Sequence, residues 1–235
     1  MAARPDTLSS SRLRRLAQRS AGEREAGLER CELCAAPIAP EHRHLLDLGS
    51  RELMCACRAC SLLFDRSAAS AGHYRLVPDR RLRVDDLELT DLAWEELRLP
   101  VELAFLFRNS RAERVMAFYP SPMGATESLL ALEAWRALEE ANPILLGLED
   151  DVEALLVNRA RGARRHWIVP VDDCYELVGL IRMHWRGLTG GQEVWQEIGR
   201  FCDGLDRRAR PAGRHGGRSI AASSDAAERE MTWRR

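Results

Sequence analysis

The chain has 235 residues, of which 46% are hydrophobic, and a formal net charge of −1. Such a chain can bury a sizeable core, and its near-neutral charge excludes a protein drawn to nucleic acid or membrane by its overall field. No apolar run approaches the length of a membrane span, and none follows the N-terminal arginines, so we expect neither a membrane span nor a signal peptide. We therefore expect a cytoplasmic protein whose seven cysteines are reduced.

The composition divides the chain into four segments. Residues 1–28 are rich in serine, alanine and arginine, and residues 209–235 combine arginine with glycine, serine and alanine. Both compositions are typical of disordered tails. Between them we predict a small metal-binding module over residues 29–65 and an α+β domain over residues 73–208, joined by a loop at 66–72.

Two C-x-x-C pairs dominate the first module. The first pair is Cys31 and Cys34, and the second is Cys57 and Cys60. Each pair points two thiolates to the same side, and two such turns at the tips of neighbouring hairpins place four sulfurs around one ion. The spacing predicts a zinc ribbon with these four cysteines as metal ligands. The opposing interpretation is a set of ordinary reduced core cysteines.

Three further residues of the module are of types that can act as metal ligands. Cys55 falls on the same strand face as Cys57 if the chain is extended there, so it is either a buried apolar residue or a spare ligand. His42 and His44 also share a strand face. One interpretation is that they replace a cysteine in the ligand set or hydrogen-bond a sulfur. The other is that they lie half-exposed on the strand without a role at the metal.

The sequence also bears on the identity of the metal. Zinc is the usual metal of a structural site with four thiolates. Iron is the alternative, because rubredoxins use paired C-x-x-C motifs as well. Rubredoxin turns usually carry glycine directly after the second cysteine, whereas this chain has Ala35 and Ser61 there. This difference favours zinc.

The main body begins with short apolar segments that predict strands, followed by a helix capped by Thr90 or Asp91. Two longer apolar runs, at 104–107 and 114–119, flank a polar turn and predict a β-hairpin. A helix is predicted over residues 126–141, where apolar residues recur at helical spacing.

The same order of elements returns about fifty residues later. Apolar runs at 152–157 and 166–171 flank an arginine-rich turn, and a helix begins at Asp172 or Asp173. The similarity indicates either two duplicated ββα units or two unrelated hairpins of a common kind. We predict an α+β fold, with one antiparallel sheet and helices on one face. A last amphipathic helix is predicted over residues 192–205.

Three segments of the body have both a functional and a structural interpretation. The turn at 120–126 either binds an anion through its N–H groups or is a capped helix start. Asp172 and Asp173 precede Cys174, but neighbouring carboxylates raise the pKa of a thiol, so helix capping is favoured over catalysis. The arginine-rich turn at 159–165 is either a nucleic-acid contact or a solvated turn. The low number of aromatic residues favours the solvated turn.

Several of these motifs together resemble one bacterial family. They are C-E-L-C, E-H-R-H-L-L-D-L, C-A-C-R-A-C, Y-R-L-V-P-D-R and V-P-V-D-D-C-Y-E-L-V-G-L, and the similarity covers roughly residues 31–205. The family has no assigned function and is found beside genes for high-affinity uptake nickel–iron hydrogenases. The resemblance implies an accessory or assembly role, with a hydrogenase subunit or a maturation factor as partner.

The residues and the resemblance together predict a non-enzymatic accessory protein with one structural zinc. Two alternatives stay open. A rubredoxin-like iron electron carrier needs a reversible colour and a solvent-accessible cysteine edge, and a zinc-ribbon nucleic-acid binder needs salt-dependent affinity for DNA or RNA. We expect no membrane partner, and the near-neutral charge disfavours nucleic acid as a partner.

Overall fold

The computed structural model describes three stretches of the chain, which are residues 29–64, 73–187 and 189–213. The predicted tail at 1–28, the loop at 66–72 and most of the predicted tail at 209–235 lie outside the described residues. The described stretches form two β-sheets and five α-helices. None of these helices combines the length and the apolar character needed to cross a bilayer.

A three-stranded antiparallel sheet forms the N-terminal ribbon. Its elements are β1 (Arg43–Asp47), β2 (Leu53–Ala56), the short helix α1 (Arg58–Leu63) and β3 (Tyr74–Leu76). The strand order is β2-β1-β3. The turn after β1 forms because the Asp47 carboxylate accepts hydrogen bonds from the N–H groups of Gly49 and Ser50, a conformation that aspartate favours. This sheet is consistent with the small ribbon that the cysteines predict.

A seven-stranded sheet forms the body. Its strands are β4 (Leu82–Arg83), β5 (Leu103–Asn109), β6 (Arg114–Ser121), β7 (Gly124–Ser128), β8 (Glu153–Asn158), β9 (Arg165–Pro170) and β10 (Arg210–Pro211). Their order is β10-β4-β9-β8-β5-β6-β7, and all neighbours are antiparallel except β10 and β4. The α+β fold class is confirmed. Strand β10 lies at residues 210–211, within the segment at 209–235 that the composition predicts as a disordered tail.

Helices cover both faces of the body sheet. They are α2 (Asp91–Glu96), α3 (Leu132–Ala141), α4 (Val171–His184) and α5 (Gly191–Arg208). Ala104 and Leu106 of β5 face a core with α2 and α3, whereas Phe105 and Phe107 face a core with α4 and α5. The sequence predicted helices on one face only, and the structure corrects that detail. Continuous apolar runs such as that of β5 are typical of strands buried on both sides.

The first predicted ββα unit contains a third strand. Residues expected to start a helix at 126 pair instead with β6, and α3 begins only at Leu132. The β6–β7 turn is fixed by Gly124, whose φ is 127°, and by the Ser121 hydroxyl, which accepts a hydrogen bond from the Met123 N–H. The second unit follows the predicted order β8-β9-α4. Because α3 and α4 lie on opposite faces, the structure favours two similar hairpins over a duplication.

The ribbon packs against the body through a small apolar cluster. The buried members of this cluster are Leu46, Leu48, Val77, Val152 and Val171. Beside it, the buried carboxylate of Asp151 lies 2.7 Å from Arg51 Nη1 and 3.5 Å from Arg75 Nη1. Both arginines belong to the ribbon and Asp151 precedes β8, so apolar contacts and ion pairs together join the two sheets.

Candidate metal centre

The four cysteines of the two C-x-x-C pairs come together in the ribbon. The sulfurs of Cys31, Cys34, Cys57 and Cys60 all lie within 4.8 Å of one another. Cys34 Sγ and Cys57 Sγ are 3.6 Å apart. Four sulfurs that surround a tetrahedral zinc at 2.3 Å are about 3.8 Å from one another. The cluster therefore has nearly the dimensions of a four-thiolate metal site.

The first pair lies in a tight backbone turn. The Cys31 N–H donates to the Ala36 carbonyl at 2.8 Å, and the Ala35 N–H donates to the Cys31 carbonyl at 2.8 Å. Ala35 has a φ of 58°, in the left-handed region that glycine adopts most easily. The backbone after the second cysteine thus has the conformation that favours glycine, although the residue is alanine.

The second pair lies at the start of a helix and not at a hairpin tip. Cys57 is the N-cap residue of α1, and its Sγ accepts a hydrogen bond from the Cys60 N–H at 3.4 Å. The N-cap residue and the third helical residue face each other, which brings both sulfurs to one side. Ser61 follows inside the helix, so this position requires no glycine. The expectation of two hairpin tips therefore holds for the first pair only.

The cluster has a buried side and an exposed edge. Cys31 and Cys60 are buried, Cys57 is half-buried and Cys34 is exposed. The buried apolar residues beside the sulfurs are Ile38, Leu45 and Ala56. A metal ion held there would be shielded from water on one side and reached through Cys34 on the other.

The thiols of the cluster have unequal pKa values. Burial raises the pKa of Cys31, but hydrogen bonds from backbone N–H groups, that of Cys57 first, outweigh burial and lower the pKa to about 6. Burial and hydrogen bonds with neighbouring thiols raise the pKa of Cys60 to about 12. The thiol of Cys31 therefore loses its proton more readily than that of Cys60. A cation bound between the sulfurs would favour the deprotonated form of all four.

Cys55, His42 and His44 form a separate group. One ligand atom from each of the three lies within 4.8 Å of the others, and the strand register places His44 directly opposite Cys55. The sequence suggested that Cys55 shares a face with Cys57. Strand β2 ends at Ala56 and the chain turns into α1, so the alternation of a strand does not extend to Cys57.

The Asp172–Asp173–Cys174 segment forms the first turn of α4 and does not hold an accessible thiol. Cys174 is completely buried, and burial raises its pKa well above the usual value. Asp173 accepts hydrogen bonds from Arg81 Nε at 2.6 Å and Nη2 at 2.8 Å. Asp172 accepts a hydrogen bond from His44 Nδ1 at 3.0 Å. No local sequence pattern indicates this link, because the two residues are 128 positions apart.

The arginines of the 159–165 turn have partners within the protein. The Arg159 guanidinium pairs with Asp91 and lies 5.5 Å from the centre of the Trp94 ring. Arg165 pairs with Asp203 and with Asp206. The guanidinium groups of Arg159 and Arg165 are therefore already paired with carboxylates of the protein, whereas a nucleic-acid interface would require them to contact phosphates.

A cavity of about 360 Å³ lies in the body and not in the ribbon. Residues that line it include Arg108, Arg114, Trp135, Arg136 and Glu139. Arg108 Nη2 is 3.3 Å from Glu139 Oε1, so charges of both signs meet there. Its lining contains no cysteine or histidine, which separates it from the metal centre.

The fold and the cysteine cluster define an α+β protein with a candidate four-cysteine metal centre in its N-terminal ribbon. The chain belongs to DUF5947, a family of unknown function whose model matches residues 30–209. This match spans the ribbon and nearly all of the described body. No curated protein and no solved structure matches the chain. The resemblance to a family of unassigned function is therefore confirmed.

Proposed function

We propose that the protein is a zinc-dependent accessory protein of the cytoplasm, in which Cys31, Cys34, Cys57 and Cys60 bind one structural zinc ion. The observation that carries the proposal is that the four sulfurs lie within 4.8 Å of one another, although they come from separate segments. Four thiolates complete the tetrahedral coordination of zinc and leave no position for a substrate. The ion would therefore act on the fold and not as a catalyst.

The ion would join two pieces of the ribbon. These are the turn at 31–34 and the start of α1, which directly follows β2. The apolar core at this place is small, and small cores contribute little stability by themselves. Zinc binding to finger-like peptides contributes on the order of 10 kcal/mol or more. We infer that the ribbon needs its metal ion to fold.

Metal analysis of protein purified without oxygen tests the site. We expect about one tightly held zinc per chain and no visible colour. The Cys60→Ser variant should lose this zinc. Cys202→Ala is the matched control, because Cys202 is a buried cysteine of the body that lies outside the cluster. Full zinc occupancy in Cys60→Ser would contradict the ligand assignment.

We further propose that the protein acts by binding a component of a nickel–iron hydrogenase system, either a subunit or a maturation factor. The support is the resemblance of its motifs to a family found beside hydrogenase genes. Affinity purification from cells that express the hydrogenase tests this role. A hydrogenase component should co-purify with the wild-type chain and be depleted with Cys31→Ser. Recovery of the wild-type chain without any hydrogenase component would contradict the role.

One observation favours an iron electron carrier as the second candidate function. The exposed Cys34 places one sulfur at the protein surface, where an electron can enter or leave. Iron in the same four sulfurs would give a coloured protein that bleaches on reduction, whereas zinc has no redox chemistry. The visible spectrum of the purified protein separates the two functions.

A further inference from the structure

A second cluster of metal-binding side chains lies on the ribbon outside the four cysteines. His44 of β1 and Cys55 of β2 are directly opposite in the antiparallel register. His42 precedes His44 by two positions, and the centres of the two imidazole rings are 4.8 Å apart. One ligand atom from each of the three residues lies within 4.8 Å of the other two. Two imidazoles and one thiol therefore offer ligand atoms that lie close together.

The hydrogen bonding of His42 leaves one ring nitrogen free to bind a metal. His42 Nδ1 lies 2.9 Å from the Ala39 carbonyl oxygen, which can only accept, so Nδ1 carries the proton. Nε2 then has the lone pair. This atom is buried and has no hydrogen-bond partner among the described residues, and the side chain is only 10% exposed. Buried polar atoms are normally paired, so the unpaired Nε2 indicates a ligand that it would bind.

The hydrogen bonding of His44 follows the same pattern with a carboxylate. His44 Nδ1 donates to Asp172 Oδ2 at 3.0 Å, which fixes the tautomer and leaves Nε2 as the metal-binding atom. Histidine ligands of metals commonly donate their other ring N–H to a carboxylate or to a backbone carbonyl. His42 has the carbonyl and His44 has the carboxylate. Both imidazoles thus have the hydrogen-bond partners that metal-bound histidines commonly have.

We propose that His42 Nε2, His44 Nε2 and Cys55 Sγ bind a second divalent metal ion of the zinc type. Nitrogen and sulfur ligands of this kind suit zinc and cobalt. Three protein ligands leave one position of a tetrahedron open to water or to another ligand, in contrast to the closed four-cysteine site. The carboxylate of Glu32 accepts a hydrogen bond from the Cys55 N–H, so a negative charge lies beside the site.

The second site would connect the ribbon to the body. Asp172 belongs to the first turn of α4, whereas all three ligands belong to the ribbon. An ion bound to His44 would strengthen the hydrogen bond of this imidazole to Asp172, because coordination makes the remaining N–H a better donor. Asp172 is a positioning residue in this arrangement, since it reaches the metal only through His44.

Titration of the full-length chain with Zn²⁺ against a chromophoric chelator tests the second site. After purification with its first ion bound, the wild-type chain should take up about one further ion, whereas His42→Ala and Cys55→Ser should take up none at the same concentration. Asp172→Asn should keep the site but weaken its affinity about 10–100-fold. His73→Ala is the control, because His73 lies outside the cluster and should leave uptake unchanged.

The spectrum of bound Co²⁺ separates the two sites. Co²⁺ added to protein that retains its first zinc should give an absorption of mixed nitrogen and sulfur coordination, which is lost in His42→Ala. Circular dichroism checks that the variants fold, and His42→Gln replaces His42→Ala if the latter does not. Absence of a second ion from the wild-type chain, or equal uptake by His42→Gln and wild type, would overturn the proposal. The first zinc should be retained in these variants. Failure of the second site can therefore be distinguished from failure of the four-cysteine site.

Discussion

The buried carboxylate of Asp151 and the partly exposed guanidinium of Arg51 form an ion pair between the body and the ribbon. Asp151 Oδ1 lies 2.7 Å from Arg51 Nη1 and accepts a hydrogen bond from the Ser110 N–H at 3.1 Å. Asp151 is completely buried and has a φ of 66°, which aspartate and asparagine tolerate better than most residues. A buried carboxylate requires its cationic partners, so this pair helps to hold the ribbon on the body beside the apolar cluster.

Asp151→Asn should therefore loosen the junction. Asparagine keeps the shape and tolerates the same backbone conformation, but it removes the charge that faces Arg51 and Arg75. We expect the free energy of unfolding to fall by about 2 kcal/mol. Urea unfolding followed by circular dichroism measures the change. Asp150→Asn is the neighbouring control, with a more exposed carboxylate, and should change stability by about 0.5 kcal/mol or less. Equal effects of the two substitutions would contradict this account of the junction.

Loss of the metal should unfold the ribbon before the body. In Cys31→Ser, we expect the amides of β1 and β2 to lose their protection from hydrogen exchange, because on the proposed function the ion would supply most of the stability of that sheet. The amides of β8 and β9 should stay protected, since both faces of those strands are covered by helices. Hydrogen exchange with mass spectrometry measures both regions in one experiment. Unchanged protection of β1 and β2 would show that the ribbon does not depend on the ion.

Ala35→Gly should stabilise the metal-bound ribbon. The φ of 58° strains an alanine, and glycine relieves that strain at some cost in the entropy of the unfolded chain. We expect a net gain of about 0.5–1 kcal/mol, which corresponds to a zinc affinity about two- to fivefold tighter. Chelator competition measures the affinity. Ala36→Gly is the control, because Ala36 has no positive φ, and it should not tighten binding.

Gly190→Ala should destabilise the body. The φ of Gly190 is 84°, and an added Cβ would lie 2.8 Å from Val194 Cγ1 and 3.1 Å from Trp185 Cε3. Strain and overpacking together should lower the free energy of unfolding by about 2–4 kcal/mol. Gly199→Ala is the matched control, because it lies within α5 with open space around its Cβ position. Alanine at that position should raise stability by up to about 1 kcal/mol. A neutral Gly190→Ala would show that the α4–α5 connection is not tightly packed.

The sequence was sufficient to predict the four-cysteine cluster and the second hairpin. Both depend on local information, because C-x-x-C spacing sets the geometry of each pair and alternating or continuous apolar runs define strands. The position of Cys55 opposite His44 was not predicted. It depends on the register between β1 and β2 and on the end of β2 at Ala56.

The parts of the fold that the sequence did not predict depend on distant contacts. Residues 126–128 have no strong preference of their own, and pairing with β6 makes them a strand. The segment at 210–211 becomes a strand only through its pairing with β4. The hydrogen bond between His44 and Asp172 likewise requires the ribbon to be placed on the body. These two strands and this hydrogen bond depend on tertiary contacts, which local sequence patterns do not predict.

Metal content and the visible spectrum of protein purified without oxygen test the central claim most directly. The account predicts a colourless protein that holds about one tightly bound zinc per chain and loses it in Cys60→Ser. A red protein with about one iron per chain, whose colour bleaches on reduction, would contradict the structural zinc and make electron transfer the function of the four cysteines.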